Sequence, residues 1–258
     1  MNFPRIFSLL TMLAGAAALT AQTTAPDPIP AAVTTVGTGF DYSRGSYGFA
    51  TDTEVFSVPL NLGFDNGPWS TNFNFSYLTL KGPATVVAGS GAARPTSSSQ
   101  SGFGDIYAGV TYRFGPVFGD INLDATARVK LATANAGRGL GTGETDYYGE
   151  LTFSRTIGTV TPFATAGYRA LGDSALYQLR DGAYLSGGAH FRISPQDVVT
   201  AVLNWRQPIT VGADHELDAT AMFTHDFGTN WRLAAYVLKG FTDASPTIGT
   251  GVQVSYRY

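Results

Sequence analysis

Few residues in this chain of 258 are of a kind that could do covalent chemistry. There is no cysteine, which removes disulfides, thiolate metal ligands and a thiol nucleophile. Of the three histidines, His190 shares a strand face with Arg192, His215 opens a strand and His225 precedes a turn. None has a second ligand at metal-binding spacing. The one local pairing of a hydroxyl with a base is Ser186 with His190. Four residues apart on an extended strand, their Cβ atoms lie about 13 Å apart, too far for a direct hydrogen bond. The His-x-Ser signature of membrane-embedded phospholipases is missing. Gly139, Gly141 and Gly143, in GRGLGTGET, superficially suggest a phosphate loop, but no strand-to-helix context follows and no lysine is present, so the segment reads as a loop. These residues argue against an enzyme, and they give no reason to expect a metal or an organic cofactor.

What remains is charge, and its spacing is regular. In INLDATARVKL, 121 to 131, Ile121, Leu123, Ala125, Ala127, Val129 and Leu131 alternate with Asn122, Asp124, Thr126, Arg128 and Lys130. Successive side chains of a strand point to opposite faces, so this is a strand with one apolar and one polar face. The pattern recurs in 69 to 77, 105 to 114, 146 to 154, 183 to 193, 199 to 206 and 216 to 223, and in a last strand carrying Val252, Val254, Tyr256 and Tyr258. Weaker strand candidates lie near 34 to 43, 54 to 64, 159 to 169 and 230 to 239. Asp105, Tyr107, Arg113, Asp124, Arg128, Lys130, Asp146, Tyr148, Glu150, Tyr184, His190, Arg192, Arg206, Glu216, Asp218 and Arg232 all fall on the polar side.

Around these strands the connections alternate in length. Tight turns are expected at Asp65-Asn66-Gly67, Gly115-Pro116, Ile157-Gly158, Ser194 to Asp197 and Gly228-Thr229-Asn230. Longer links span 44 to 52, 81 to 102, 132 to 143, 170 to 181, 207 to 214 and 240 to 247. About twelve antiparallel strands with short turns on one rim and long loops on the other describe an all-β, transmembrane, up-and-down β-barrel. Its apolar face must meet lipid, because a Lys or Arg facing hydrocarbon at mid-depth costs about 2–4 kcal/mol. The sixteen polar-face residues then line the lumen. Trp69, Trp205 and Trp231 are expected beside the short turns, as an interfacial girdle. A soluble β-sandwich also alternates, but it gives no reason to segregate turns from loops or to keep charge so low. Twelve tilted strands give a backbone diameter near 24 Å, hence a narrow pore suited to small solutes. The loop at 81 to 102 is a candidate partial plug.

Composition agrees. Only 14% of residues are charged, against a usual value of about 25%. Glycine numbers 31 and aromatics make up 13%, yet no apolar run of about 20 residues follows the N-terminus, so an α-helical span is excluded. Net charge is −3 with no basic block, which speaks against nucleic acid as a partner. Arg5 followed by the apolar stretch Ile6 to Leu19 reads as a signal peptide, 1–21, cut after Ala18 or Ala21. Residues 22–31 read as an extended periplasmic lead-in and 32–258 as the barrel.

Several segments carry a family likeness: SGFGDIYAGVTYRF (101 to 114), TGETDYYGELTFSRTIGTVTPFATAGYRALGD (142 to 173), KGFTDASPTIGTGVQVSYRY (239 to 258) and DTEVFSVPLNLGFDNGPW (52 to 69). Together they resemble the outer-membrane transporters associated with the MetA pathway of phenol degradation. The resemblance implies a Gram-negative outer-membrane barrel that takes up small aromatic or hydrophobic compounds, and it carries over no catalytic residue. Outer-membrane lipid, the barrel-assembly machinery and a small-molecule solute are the expected partners. The competing readings are a structural or surface-binding barrel with an occluded lumen and, behind it, a barrel hydrolase using Ser186 and His190. The terminal Tyr256 and Tyr258 keep the alternating aromatics of an assembly signal, with Gln253 where glycine is usual.

Overall fold

The computed structural model describes residues 32–47, 50–82, 99–174, 178–210 and 213–258; the expected signal peptide and lead-in lie outside them, as do residues 83–98 of the loop proposed as a plug. The strands are β1 (Val33–Gly45), β2 (Thr53–Asn66), β3 (Trp69–Lys81), β4 (Gln100–Phe103), β5 (Ile106–Phe118), β6 (Ile121–Leu131) and β7 (Asp146–Ser154). They continue with β8 (Val160–Ala170), β9 (Gly182–Arg192), β10 (Asp197–Arg206), β11 (Glu216–Phe227), β12 (Trp231–Gly240) and β13 (Ile248–Arg257). Apart from β4 and β5, which both pair with β3, each pairs antiparallel with its neighbours in sequence, and β1 pairs with β13, so the sheet closes on itself. β4 and β5 share one position in the ring. β4 pairs with the upper part of β3, from Tyr77 to Leu80, and β5 with the lower part, from Trp69 to Asn74. The break between them falls at Gly104 and Asp105, bridged by a 2.8 Å bond from the Gly104 amide to the Ser76 carbonyl. The barrel therefore has twelve staves.

Alternation decides the two faces. Along β3, Trp69, Phe73 and Tyr77 are exposed on the outside, while Ser70, Asn74, Ser76, Leu78 and Leu80 are buried within. Outward charges on the strands are confined to the two rims: Asp197 opens β10 at the short-turn rim, 2.7 Å from His225, and the others lie at the long-loop rim. There Arg44, Glu54, Lys81 and Lys239 stand at or next to strand ends and can reach water with their polar tips.

Two local expectations are corrected. Gly115-Pro116 is not a turn. β5 runs on to Phe118, and the ladder to β6 shifts register between Arg113 and Gly115 and again between Pro116 and Phe118. Gly115, at φ 75°, takes the left-handed backbone that a bulge favours, and a bulge tolerates a proline that has no amide to give the ladder. The reversal comes at Gly119-Asp120, with Gly119 at φ 61°. Nor does Trp205 sit by a short turn. It is one residue from the upper end of β10, at the long-loop rim. Trp69 and Trp231 do open strands just after short turns, where they pack edge-on against Tyr112 and Tyr256, at 4.6 and 4.8 Å between ring centres. The tryptophans thus mark both ends of the apolar band, as two interfacial girdles would.

An outward arginine should be costly in proportion to its depth. Ala221→Arg, midway along β11, is expected to destabilise the barrel by about 2–4 kcal/mol in vesicles, and Phe118→Arg, beside a short turn, by about 0–1 kcal/mol. Urea unfolding midpoints measure both, and equal costs would show that the band does not lie in hydrocarbon.

Candidate functional site

The inner surface of the barrel has two unlike walls. The charged one spans β5 to β11. Near the long-loop rim, Lys130 Nζ lies 2.5 Å from Asp146 and 3.8 Å from Asp105, and donates to Thr142 Oγ1 at 2.6 Å. One step deeper, Arg128 sits 3.7 Å from Glu150, and its guanidinium carbon is 5.1 Å from the centre of the Tyr148 ring. Tyr184 donates its hydroxyl to Glu150 Oε2 at 2.8 Å. Across β10 and β11, Arg206 Nη1 bridges Glu216 Oε2 at 3.0 Å and Asp218 Oδ2 at 2.8 Å. Arg169 reaches within 3.9 Å of the same Glu216 from β8.

Towards the short-turn rim the pairs continue. Arg113 Nη2 donates to Asp65 Oδ1 at 3.0 Å, and Asp124 stands opposite Arg113 in the β5–β6 ladder. Arg232 grips Asp226 through Nε and Nη2 at 2.5 and 2.7 Å. Arg192, at the lower end of β9, is half-buried. Such pairing is what keeps buried charge tolerable, since an ion stripped of water without a partner costs several kcal/mol. Tyr107 and Tyr148 differ from their buried neighbours. Both are half-buried on the inner face, less enclosed than the residues around them, with ring centres 6.5 Å apart.

Ser186 and His190 are not brought together. Ser186 Oγ donates to Asn204 Oδ1, while His190 Nδ1 shares a hydrogen bond with Thr200 Oγ1, each at 2.8 Å, and the imidazole stacks on Phe163. Among the described residues no three His, Cys, Asp or Glu side chains group as a metal set would.

The second wall, over β11, β12, β13 and β1 to β3, is mostly glycine and small polar residues around two apolar clusters, which were not legible in the sequence. Met222, Ala234, Tyr236 and Leu238 cluster on one part of it. Val55, Leu78 and Leu80 form another cluster with Tyr47 and Leu140, which come from loops. The loop between β6 and β7 accordingly folds into the mouth. Its Ala134 amide donates to Asp105 Oδ1 at 2.9 Å, a short 3-10 turn spans Ala136–Arg138, and Gly139 at φ 72° turns Leu140 inward to 2% exposure. Tyr47 adopts a φ of 49°, the single non-glycine positive value among the described residues, with its ring buried against the same cluster.

Five inner charges escaped sequence reasoning: Asp41, Asp65, Arg169, Asp226 and Arg257. Asp65 reads as a turn residue and Asp226 lies beyond the clear alternation of β11. Both keep the parity of the inward residues on their strands, which was the available signal. On β1 and β8, inward glycine, threonine and phenylalanine blur the contrast between faces, so Asp41 and Arg169 had no pattern to stand out from.

The fold has solved counterparts. The crystal structure of the COG4313 outer membrane channel from Pseudomonas putida F1 superposes with a TM-score of 0.66 at 11% identity, covering 92% of this chain and all of that one. The KdgM porin superposes at 0.54 with 9% identity, over 86% of this chain and 98% of its own. No family model matches the chain, and no curated protein does. At such low identity the likeness establishes a shared barrel fold, one used by outer-membrane channels and porins, and the link to phenol-pathway transporters rests on the segments that suggested it.

If Leu140 holds the β6–β7 loop in the mouth, Leu140→Ala should loosen it. Proteolytic nicking of the folded barrel between residues 132 and 145 is then expected to accelerate several-fold, as local opening becomes easier. Unchanged cleavage would mean that the Lys130 and Asp105 contacts hold the loop without it.

Proposed function

We propose that the protein is an outer-membrane channel for small solutes that carry an apolar, preferably aromatic, face and a polar edge. The observation that carries this reading is the contrast between the charged wall and the two apolar clusters that share the lumen with it. A solute passing between them meets Leu78, Tyr236 and Leu238 on one side and the ion-paired side chains of Arg128, Glu150 and Arg206 on the other. Tyr107 and Tyr148, half-buried beside Arg128, supply ring faces on which an aromatic solute can stack. Closure of the sheet and confinement of outward charge to the rims support residence in a bilayer. In this reading the short-turn rim and both chain ends face the periplasm, the long loops face outward, and outer-membrane lipid and the barrel-assembly machinery are the macromolecular partners.

Proteoliposome swelling tests the channel. Benzoate-sized and phenol-sized solutes are expected to enter several-fold faster than a disaccharide, and Tyr148→Ala to reduce that preference. A folded barrel with neither solute flux nor conductance in planar bilayers would overturn the reading.

A second reading, an occluded structural barrel, is favoured by one observation: most inner side chains are buried, and Leu140 with its loop occupies the mouth. Removing residues 136–143 separates the two. A rise in conductance identifies the loop as an obstacle in a channel, whereas silence in both parent and deletion supports the occluded barrel.

A further inference from the structure

Inner carboxylates of this barrel are matched by cations almost throughout. Asp65, Asp105, Asp146, Glu150, Glu216, Asp218 and Asp226 each lie within 4.0 Å of an arginine or lysine nitrogen. Asp124 faces Arg113 across the ladder. Asp41 is different. It sits on the inner face of β1 with 2% exposure, and among the described residues no cation lies within ion-pair distance of it. Its ladder partners are Gly251 and Ser57. Its hydrogen bonds come from neutral groups: Tyr236 hydroxyl at 2.9 Å, Gln253 Nε2 at 3.3 Å and Ser57 Oγ at 3.4 Å.

The surroundings hold an unused acceptor. Gln253 Oε1 has no hydrogen-bond partner, in a side chain only 4% exposed. Gln253 pairs with Gly39, the inward residue below Asp41. Gly251 makes room: a Cβ there would collide with both the Asp41 carboxylate and the Tyr236 ring. The Asp41 carboxylate thus has an amide and a hydroxyl within hydrogen-bond reach and no cation beside it among the described residues. Hard oxygen ligands suit an alkali cation, and one carboxylate among neutral oxygens matches one positive charge.

We propose that Asp41, with Gln253 Oε1 and Ser57 Oγ, forms a station for a small monovalent cation on the lumen wall and sets the ion preference of the channel. The second half of this statement rests on the channel reading above; the first does not. Asp41→Asn keeps shape and an acceptor for Tyr236 while removing the charge. In planar bilayers under a potassium chloride gradient, the parent is expected to favour potassium, and Asp41→Asn to lower the potassium-to-chloride permeability ratio roughly twofold or more. Thermal unfolding of the full chain in detergent tests the station without conductance. The parent is expected to melt higher in sodium chloride than in choline chloride at equal ionic strength, and Asp41→Asn to lose that difference. An unchanged ratio in a conducting Asp41→Asn barrel, or a sodium-specific shift that survives the substitution, overturns the proposal. If Asp41→Asn does not fold, Gln253→Glu adds a second carboxylate to the same oxygens and should enlarge the sodium-specific shift; no enlargement overturns the proposal equally. A parent that does not conduct overturns the channel reading, and the melting comparison still decides the station.

Discussion

In hydrocarbon a backbone amide has no water to bond, so its partner must be another strand. That requirement governs this molecule. It explains why β1 pairs with β13 and leaves no edge, and why the Gly104 amide still finds the Ser76 carbonyl where β4 and β5 part. Once the ring is closed, side-chain alternation does the rest. Every second residue must suit lipid, and every charge the chain carries in its strands is driven inward or to a rim. The ion pairs of the lumen follow from that confinement more than from any need for stability. Buried pairs rarely stabilise a fold relative to apolar packing, but breaking one by removing a partner is costly. The interior is therefore rigid in charge pattern, and arginines such as Arg206, held by two carboxylates, act as fixed struts.

The same confinement sets what the interior can do. Short inner residues leave room where long ones do not, and the lumen is narrow enough that a few tyrosines and leucines change its character from one side to the other. The charged wall runs over several staves, whereas the apolar side chains gather in two separate clusters, one on β11 and β12 and one on β2 and β3. In the channel reading proposed above, an object between them would be sorted by which of its faces it turns to which side.

Sequence patterning reached the barrel because its signal is redundant across twelve strands; INLDATARVKL alone shows the period, and β6 and β7 begin and end where alternation does. It failed where one residue type carries two meanings. Gly115-Pro116 has turn chemistry but makes a bulge, because the outward Phe114 and Val117 still belong to the apolar band. Trp205 signals an interface without saying which. The apolar clusters stayed hidden because alternation assigns apolar residues outward by default. Leu78 and Leu80 share the parity of Ser70 and Asn74, and only the arrival of Leu140 from a distant loop explains them. Asp41 was invisible for the opposite reason: its flanking inward residues are glycines and serine, which carry no contrast.

The closing ladder also has a temporal meaning. Eleven of the twelve seams join strands that follow each other in the chain, so each can form as soon as its second strand is available. The twelfth joins the first strand to the last; Asp41 and Gln253, which meet across it, are 212 residues apart. Contacts of such separation form late, because the loop they close is nearly the whole chain. Until then β1 and β13 are both open edges, the kind that adds strands from other molecules. The wall that holds Asp41, Tyr236 and Gln253 is thus the last part of the lumen to exist. In an unfinished barrel the ion pairs between neighbouring strands can form, while the contacts of Asp41 with Tyr236 and Gln253 wait for the final seam.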